Sequence, residues 1–186
     1  MLKMKDRDLR DLTLKELNQK HEGELNTRII NEMGLINGAS RVDIAVVNGI
    51  LHGYELKSES DNLMRLPQQV ENYNKIFERM TIVVDLKYLE EVKEIVPSWW
   101  GIKTIRKDKT GLRELRKGRK IKTQDEEALL NLLWKEEYNG LIDLLGYPKN
   151  YKKIRKQELF DIFLLDKRKS IIKKYIYDAL RKRNYN

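Results

Sequence analysis

Asp43 and the run Glu55-Leu56-Lys57 are the residues of this sequence best suited to chemistry. Both lie in stretches that read as β-strands: RVDIAVV over residues 41–47, and LHGYELKS over 51–58, joined by the turn signal Asn48-Gly49. Glu55 and Lys57 are two apart on a strand, so they share a face. Two carboxylates on neighbouring strands can jointly hold a hard cation such as Mg²⁺ through oxygen. A nearby ammonium can stabilise charge developing on a phosphate or help to position an attacking water. Together these groups are the parts needed for metal-assisted hydrolysis of a phosphodiester.

The chemistry sets a condition on the hairpin. A two-residue turn at Asn48-Gly49 would pair Val47 with Ile50 and place Asp43 and Glu55 on opposite faces. A three-residue loop, Asn48-Gly49-Ile50, pairs Val47 with Leu51 and sets Asp43 opposite Glu55. One face then carries Arg41, Asp43, Glu55 and Lys57, and the other Val42, Ile44, Val46, Tyr54 and Leu56. A clean division of polar from apolar residues favours the longer loop or an equivalent bulge.

Asp, then Glu-X-Lys across a hairpin, then a helix bearing Gln-X-X-X-Tyr, resembles the PD-(D/E)XK nuclease superfamily. The helix motif here is Gln69-Val-Glu-Asn-Tyr73, whose ends are i and i+4 and share a helix face. RVDIAVVNGILHGYELKSESDNLMRLPQQVENYNKIFERMTIVV and the later SWWGI resemble more closely one family within it, found in bacteria and phages. The likeness covers residues 8–105 well and the C-terminal helices loosely. It implies a restriction-endonuclease-like core in which Asp43 and Glu55 bind Mg²⁺, with Mn²⁺ as a substitute. Lys57 would act on the water or the phosphate, Gln69 would orient the site, and Tyr73 would support it. The first acidic residue of the family maps best to Glu32 as a further metal ligand, with Glu22 and Glu24 as alternatives. Val42 stands where the superfamily's name has Pro, a residue that contributes no ligand.

Other chemistries find less support. Ser58 and Ser60 lack His-Asp partners for a hydrolase triad. His52 falls on the apolar side of the hairpin, and Trp99-Trp100 reads as core.

The elements that would position these residues follow from periodicity. Leu9, Leu12, Leu14 and Leu17 predict an amphipathic helix over about residues 4–21. A β-rich patch spans Thr27 to Ile36 and is broken at Gly38-Ala-Ser. Residues 66–80 read as a helix with Pro67 in its first turn, 81–85 as a buried strand, 87–95 as a helix, and 99–107 as a strand. Residues 124–145 read as one long helix, and 155–165 and 169–183 as two basic ones. The order predicts an α/β (α+β) fold: a mixed central sheet flanked by helices, with a basic helical region appended. We divide the chain into a nuclease-like core (1–110), a basic linker or exposed hairpin (111–123) and a basic helical region (124–186).

The 186 residues carry a net charge of +9, unevenly spread. Residues 1–97 hold 14 Lys/Arg against 17 Asp/Glu, whereas 98–186 hold 24 against 12. A basic half points to a polyanionic partner, with DNA expected and RNA left open. Arg65, Lys152, Lys153, Arg155, Lys156, Lys173 and Lys174 are the candidate phosphate contacts. A homo-oligomer would suit double-strand cutting. The absence of Cys excludes thiolate metal sites, disulfides and Cys nucleophiles, and two His are too few for a His-rich zinc site. No apolar run nears the roughly 20 residues of a membrane span, and the start lacks a signal-peptide stretch, so a cytoplasmic protein is expected.

Overall fold

A computed structural model describes residues 5–35, 38 and 40–185. Met4, Ile36 and Ala39, which fall within or beside expected elements, lie outside the described residues. The chain runs α1 (Asp6–Lys20), β1 (Arg28–Leu35), β2 (Ser40–Val47), β3 (Leu51–Lys57), α2 (Leu66–Ile76), β4 (Arg79–Val84), α3 (Leu89–Ile95), β5 (Gly101–Ile105) and β6 (Leu112–Arg116). Four helices follow: α4 (Glu126–Leu130), α5 (Lys135–Leu144), α6 (Lys156–Leu165) and α7 (Lys169–Lys182).

The strands form one six-stranded mixed sheet in sequential order, flanked by helices. Short connections make β1–β2–β3 antiparallel, while the crossovers through α2 and α3 make β3, β4 and β5 parallel. All seven residues of β3 are buried, since strands pair on both of its edges and helices cover both of its faces. On one face, Leu9 and Leu17 of α1 pack on Ile44, Val46, Tyr54 and Leu56. On the other, α2 and α3 share a continuous apolar cluster with α4–α7. The basic helices therefore pack against the sheet. No helix among the described residues is long and apolar enough to cross a membrane.

Two helix boundaries need correction, and the hairpin alternative for residues 111–123 takes a definite form. The α2 helix ends at Ile76, short of residue 80, because Glu78 N–H bonds to the Leu51 carbonyl and Arg79 already pairs with His52. Strand pairing here overrides the apolar period. Within 111–123, residues 112–116 form β6, an edge strand antiparallel to β5. After it the chain hugs the sheet: Arg119 N–H bonds to the Trp99 carbonyl and Ile121 N–H to that of Glu78. The long helix expected over 124–145 is broken at Asn131–Trp134 into α4 and α5. Leu129, Leu130, Leu132, Leu133, Tyr138, Leu141 and Ile142 are all buried, and on one straight helix they would point almost all round its axis. The break lets both halves face the core. Both helices are capped at their N-termini: Asp125 accepts from Ala128 N–H at 2.7 Å for α4, and Glu137 accepts from Trp134 N–H at 2.7 Å for α5. Arg183 fills the carbonyl of Leu132 at 2.7 Å.

Glu78 joins the layers. It is 3% exposed, and its carboxylate accepts from Leu51 N–H at 3.1 Å, Tyr177 O–H at 2.8 Å and Lys173 Nζ at 3.0 Å. Burial alone would raise its pKa, but the bonds from Tyr177, Lys173 and Leu51 outweigh it, and the net direction is downward. We expect Glu78→Ala to destabilise the chain by about 1–3 kcal/mol in urea unfolding, because the buried Leu51 N–H loses this acceptor and the Tyr177 hydroxyl is left with Gln124. The wild-type contribution should fade as acid protonates Glu78, since a lowered carboxylate pKa stabilises the fold only above it.

Candidate active site

The loop between β2 and β3 is the three-residue one: Val47 pairs with Leu51, Val46 with His52, and Ile44 with Tyr54. The ladder stops there, one residue short of Asp43 and Glu55. In the gap, Asp43 Oδ2 accepts from Leu56 N–H at 2.8 Å. A side chain thus satisfies a main-chain donor that the sheet leaves unpaired.

The gap has a cause one strand away. Glu32 of β1 has φ +53°, a left-handed conformation uncommon for a residue with a side chain. It interrupts the β1–β2 ladder between Asn31–Ile44 and Met33–Val42. Alternation changes phase there in both strands: Ile30 and Met33 join one cluster, as do Val42 and Ala45. Val42 therefore packs with the α2-side core and not beside Ile44, contrary to the strict alternation expected. This change of phase frees Asp43 to span the gap.

Glu55 and Lys57 point toward α2, beneath its N-terminal half. Glu55 Oε1 accepts from Lys57 Nζ at 2.7 Å and from Gln69 Nε2 at 2.7 Å, and Lys57 Nζ also donates to Gln69 Oε1 at 3.0 Å. Gln69 thus ties the two together. Tyr73, fully buried against Trp100, sets its hydroxyl 2.8 Å from Glu55 Oε2 and 2.7 Å from the Arg41 carbonyl. One phenolic proton cannot fully serve two acceptors. A protonated Glu55 removes the shortage by donating to Tyr73 while Tyr73 donates to Arg41.

Asp43, Glu55, Lys57 and Gln69 line a cleft of about 520 Å³, joined by Arg10, Glu32, Asp61 and Arg65, while Tyr73 stays in the core behind them. Arg10 of α1 carried no local sign in the sequence; only docking of α1 on the sheet brings it here. Its Nη2 donates to Asp43 Oδ1 at 2.8 Å and its Nη1 to the Asp43 carbonyl at 3.1 Å. Glu32 reaches the cleft but half-exposed, 3.3 Å from Arg41 and 3.9 Å from Arg10. Its neighbours are guanidinium groups, and among the described residues no three acidic side chains converge as a metal cage. Glu32, expected as a further ligand, stands here between Arg41 and Arg10. Glu22 and Glu24 do not line the cleft; Glu24 bonds to His21 and Thr27.

The candidate phosphate contacts divide. Arg65 lies exposed at the cleft, and Lys153, Arg155 and Lys174 are exposed on the helical region. Of the other three, Lys152 is exposed and pairs with Asp143 at 2.6 Å, Lys173 pairs with the buried Glu78, and Lys156 lies over Tyr138 and Phe160. Desolvation holds the Lys156 pKa below its usual value.

Burial, and then repulsion from Asp43, push the Glu55 carboxyl up from 4.5 to about 7, against the pull of Lys57 and Tyr73. The folded state then holds a proton that the unfolded chain has released, so stability falls as pH rises from about 4.5 to about 7. We expect Glu55→Gln to flatten this slope, measured by urea unfolding at about pH 5 and about pH 7.5, with a difference on the order of 1–3 kcal/mol. Asp43→Asn should draw the upper end of the window downward.

The model of the family described as "Bacteriophage P4 protein cII" matches residues 4–186. A curated relative, "Protein cII" of Enterobacteria phage P4, is 34% identical over 120 residues, covering 63% of this chain and 46% of the relative. The chain spans about half the length of that relative. A solved structure of a protein of unknown function from Silicibacter pomeroyi aligns with a TM-score of 0.46 and 14% identity, covering 77% of this chain and 93% of that one. With the family model matched across nearly its whole length, the chain belongs to the bacteriophage P4 protein cII family.

Proposed function

We propose that this chain is a divalent-metal-dependent nuclease that hydrolyses phosphodiester bonds in DNA on a restriction-endonuclease-like core, with Mg²⁺ as cofactor and Mn²⁺ as a substitute. One observation carries the reading: Asp43, Glu55, Lys57 and Gln69, from β2, β3 and α2, converge in a polar cleft. A buried Lys–Glu–Gln triangle is costly to build and is a poor device for stability alone.

The donor set fits a hard cation. Two carboxylates stand close enough for one to raise the pKa of the other, and such a pair gains from a positive charge between them. Asp43 and Glu55 would hold the ion, which supplies Lewis acidity at the phosphate. Lys57 Nζ, already aimed into the cleft, would steady the attacking water or the phosphate oxygen. Gln69 keeps Lys57 and Glu55 in register, and Tyr73 anchors Glu55 from below. Arg65 at the mouth, with Lys153, Arg155 and Lys174, would hold the phosphate backbone without reading sequence.

A second reading, a nucleic-acid-binding module that keeps this fold without turnover, draws support from Arg10 on Asp43 and from the missing third carboxylate among the described residues. Cleavage of labelled DNA and RNA with Mg²⁺, Mn²⁺ or EDTA separates the two. We expect metal-dependent cutting of DNA, reduced by about 10²-fold or more in both Asp43→Ala and Lys57→Ala. Salt-sensitive binding without cutting would favour the binding module. Cutting that survives both substitutions would sink the nuclease site.

A further inference from the structure

We propose that Arg10 is a built-in counter-cation that guards the metal position: it holds Asp43 until a divalent cation takes that carboxylate, and its guanidinium then passes to a phosphate of the nucleic acid. The inference rests on the nuclease reading above.

The geometry that leads there concerns the two oxygens of Asp43. Oδ2 is committed to Leu56 N–H, a bond that closes the sheet where its ladder has ended. The oxygen left to face a cation is Oδ1, which Arg10 Nη2 holds at 2.8 Å. A second bond, to the Asp43 carbonyl, sets the guanidinium as a two-pronged clamp, and its side chain is only 18% exposed. A dication on Oδ1 would sit against this fixed positive charge. Metal and Arg10 therefore compete for one oxygen.

Arg10 has somewhere to go. Asp6 lies 3.4 Å from its Nη2 and Glu32 3.9 Å, so both flank the clamp without the close geometry of Asp43. The Glu32 carboxylate is half-exposed at the cleft. A guanidinium in that position faces the volume a substrate phosphate would enter, and its planar fork suits phosphate oxygens. The helix that carries it does not depend on it. Leu9, Thr13 and Leu17 of α1 are buried, and Glu16 pairs with Lys103.

The arrangement makes metal and nucleic acid cooperative. Each removes an obstacle to the other: the cation frees Arg10, and the phosphate gives it a new partner. By linkage, DNA must then tighten metal binding by the same factor by which metal tightens DNA binding.

Mn²⁺ binding, followed by calorimetry and by electron paramagnetic resonance, tests this on wild type, Arg10→Gln, Arg10→Lys and Asp43→Asn. Each is titrated with and without a short duplex whose linkages are phosphorothioates. We expect Arg10→Gln to bind Mn²⁺ about tenfold or more tightly without DNA, with Arg10→Lys in between. DNA should tighten Mn²⁺ binding in wild type, and this coupling should vanish in Arg10→Gln. Thermal unfolding checks that each variant is folded. Unchanged or weaker Mn²⁺ binding in folded Arg10→Gln overturns the proposal and leaves the metal site standing, provided Asp43→Asn abolishes binding. If no variant binds Mn²⁺, or if Asp43→Asn binds as wild type does, the nuclease reading falls and this proposal with it.

Discussion

The hydrogen bond from Leu56 N–H to the Asp43 carboxylate decides the layout of the site. The β2–β3 ladder ends at Ile44–Tyr54, and the next donor on β3 is buried. An unpaired buried N–H costs about 1–3 kcal/mol, so something must fill the gap. Asp43 does so with one oxygen and turns the other to the cleft. Tyr73 performs the matching service on the other strand, reaching the orphan carbonyl of Arg41. The parting of the strands makes the room into which Glu55 and Lys57 point. A local irregularity, with Glu32 in a left-handed conformation, thus lies beside the candidate cleft, where the strands part.

That cleft concentrates charge where water is scarce. Glu55 and Lys57 are both nearly inaccessible, and desolvation is the largest influence on Glu55. The fold offsets the cost with a closed set of bonds: Gln69 bridges the pair, and Tyr73 supports it from the core. Asp43 is balanced from the opposite face of the sheet, by Arg10. The α1 layer and the α2 layer thus meet through one pair of carboxylates. The candidate site is also a point of contact between them.

The basic half of the chain has a similar double nature. Its charge pattern suggests a surface for phosphates, yet several of its cations are structural. Lys173 binds Glu78 and docks α7 on the sheet, and Arg183 closes the break between α4 and α5 while lying over Trp134. Net charge counts both kinds alike, because it carries no information about partners. What remains exposed, Lys153, Arg155 and Lys174 among them, is a smaller and more specific set.

The sequence by itself determined the strand pairings around the candidate site. The alternation in RVDIAVV and LHGYELKS favoured a three-residue loop over a two-residue one, because that register brings Asp43 and Glu55 to one face, although the alternation itself changes phase at Asp43. It also determined the parallel crossover, since a helical period separates β3 from β4. Pairing of Gln69 with Tyr73 on one helix face was equally legible. Tertiary structure alone decided the rest, for the reason that each feature depends on residues distant in the chain. Helix α2 stops early because β4 must reach β3. The Leu-rich stretch after residue 124 breaks because apolar residues all round one axis cannot face a single core. Arg10 meets Asp43, 33 positions away, only because α1 lies across the sheet. Glu32 reaches the cleft but meets Arg41 and Arg10 there, guanidinium groups that only the fold brings beside it.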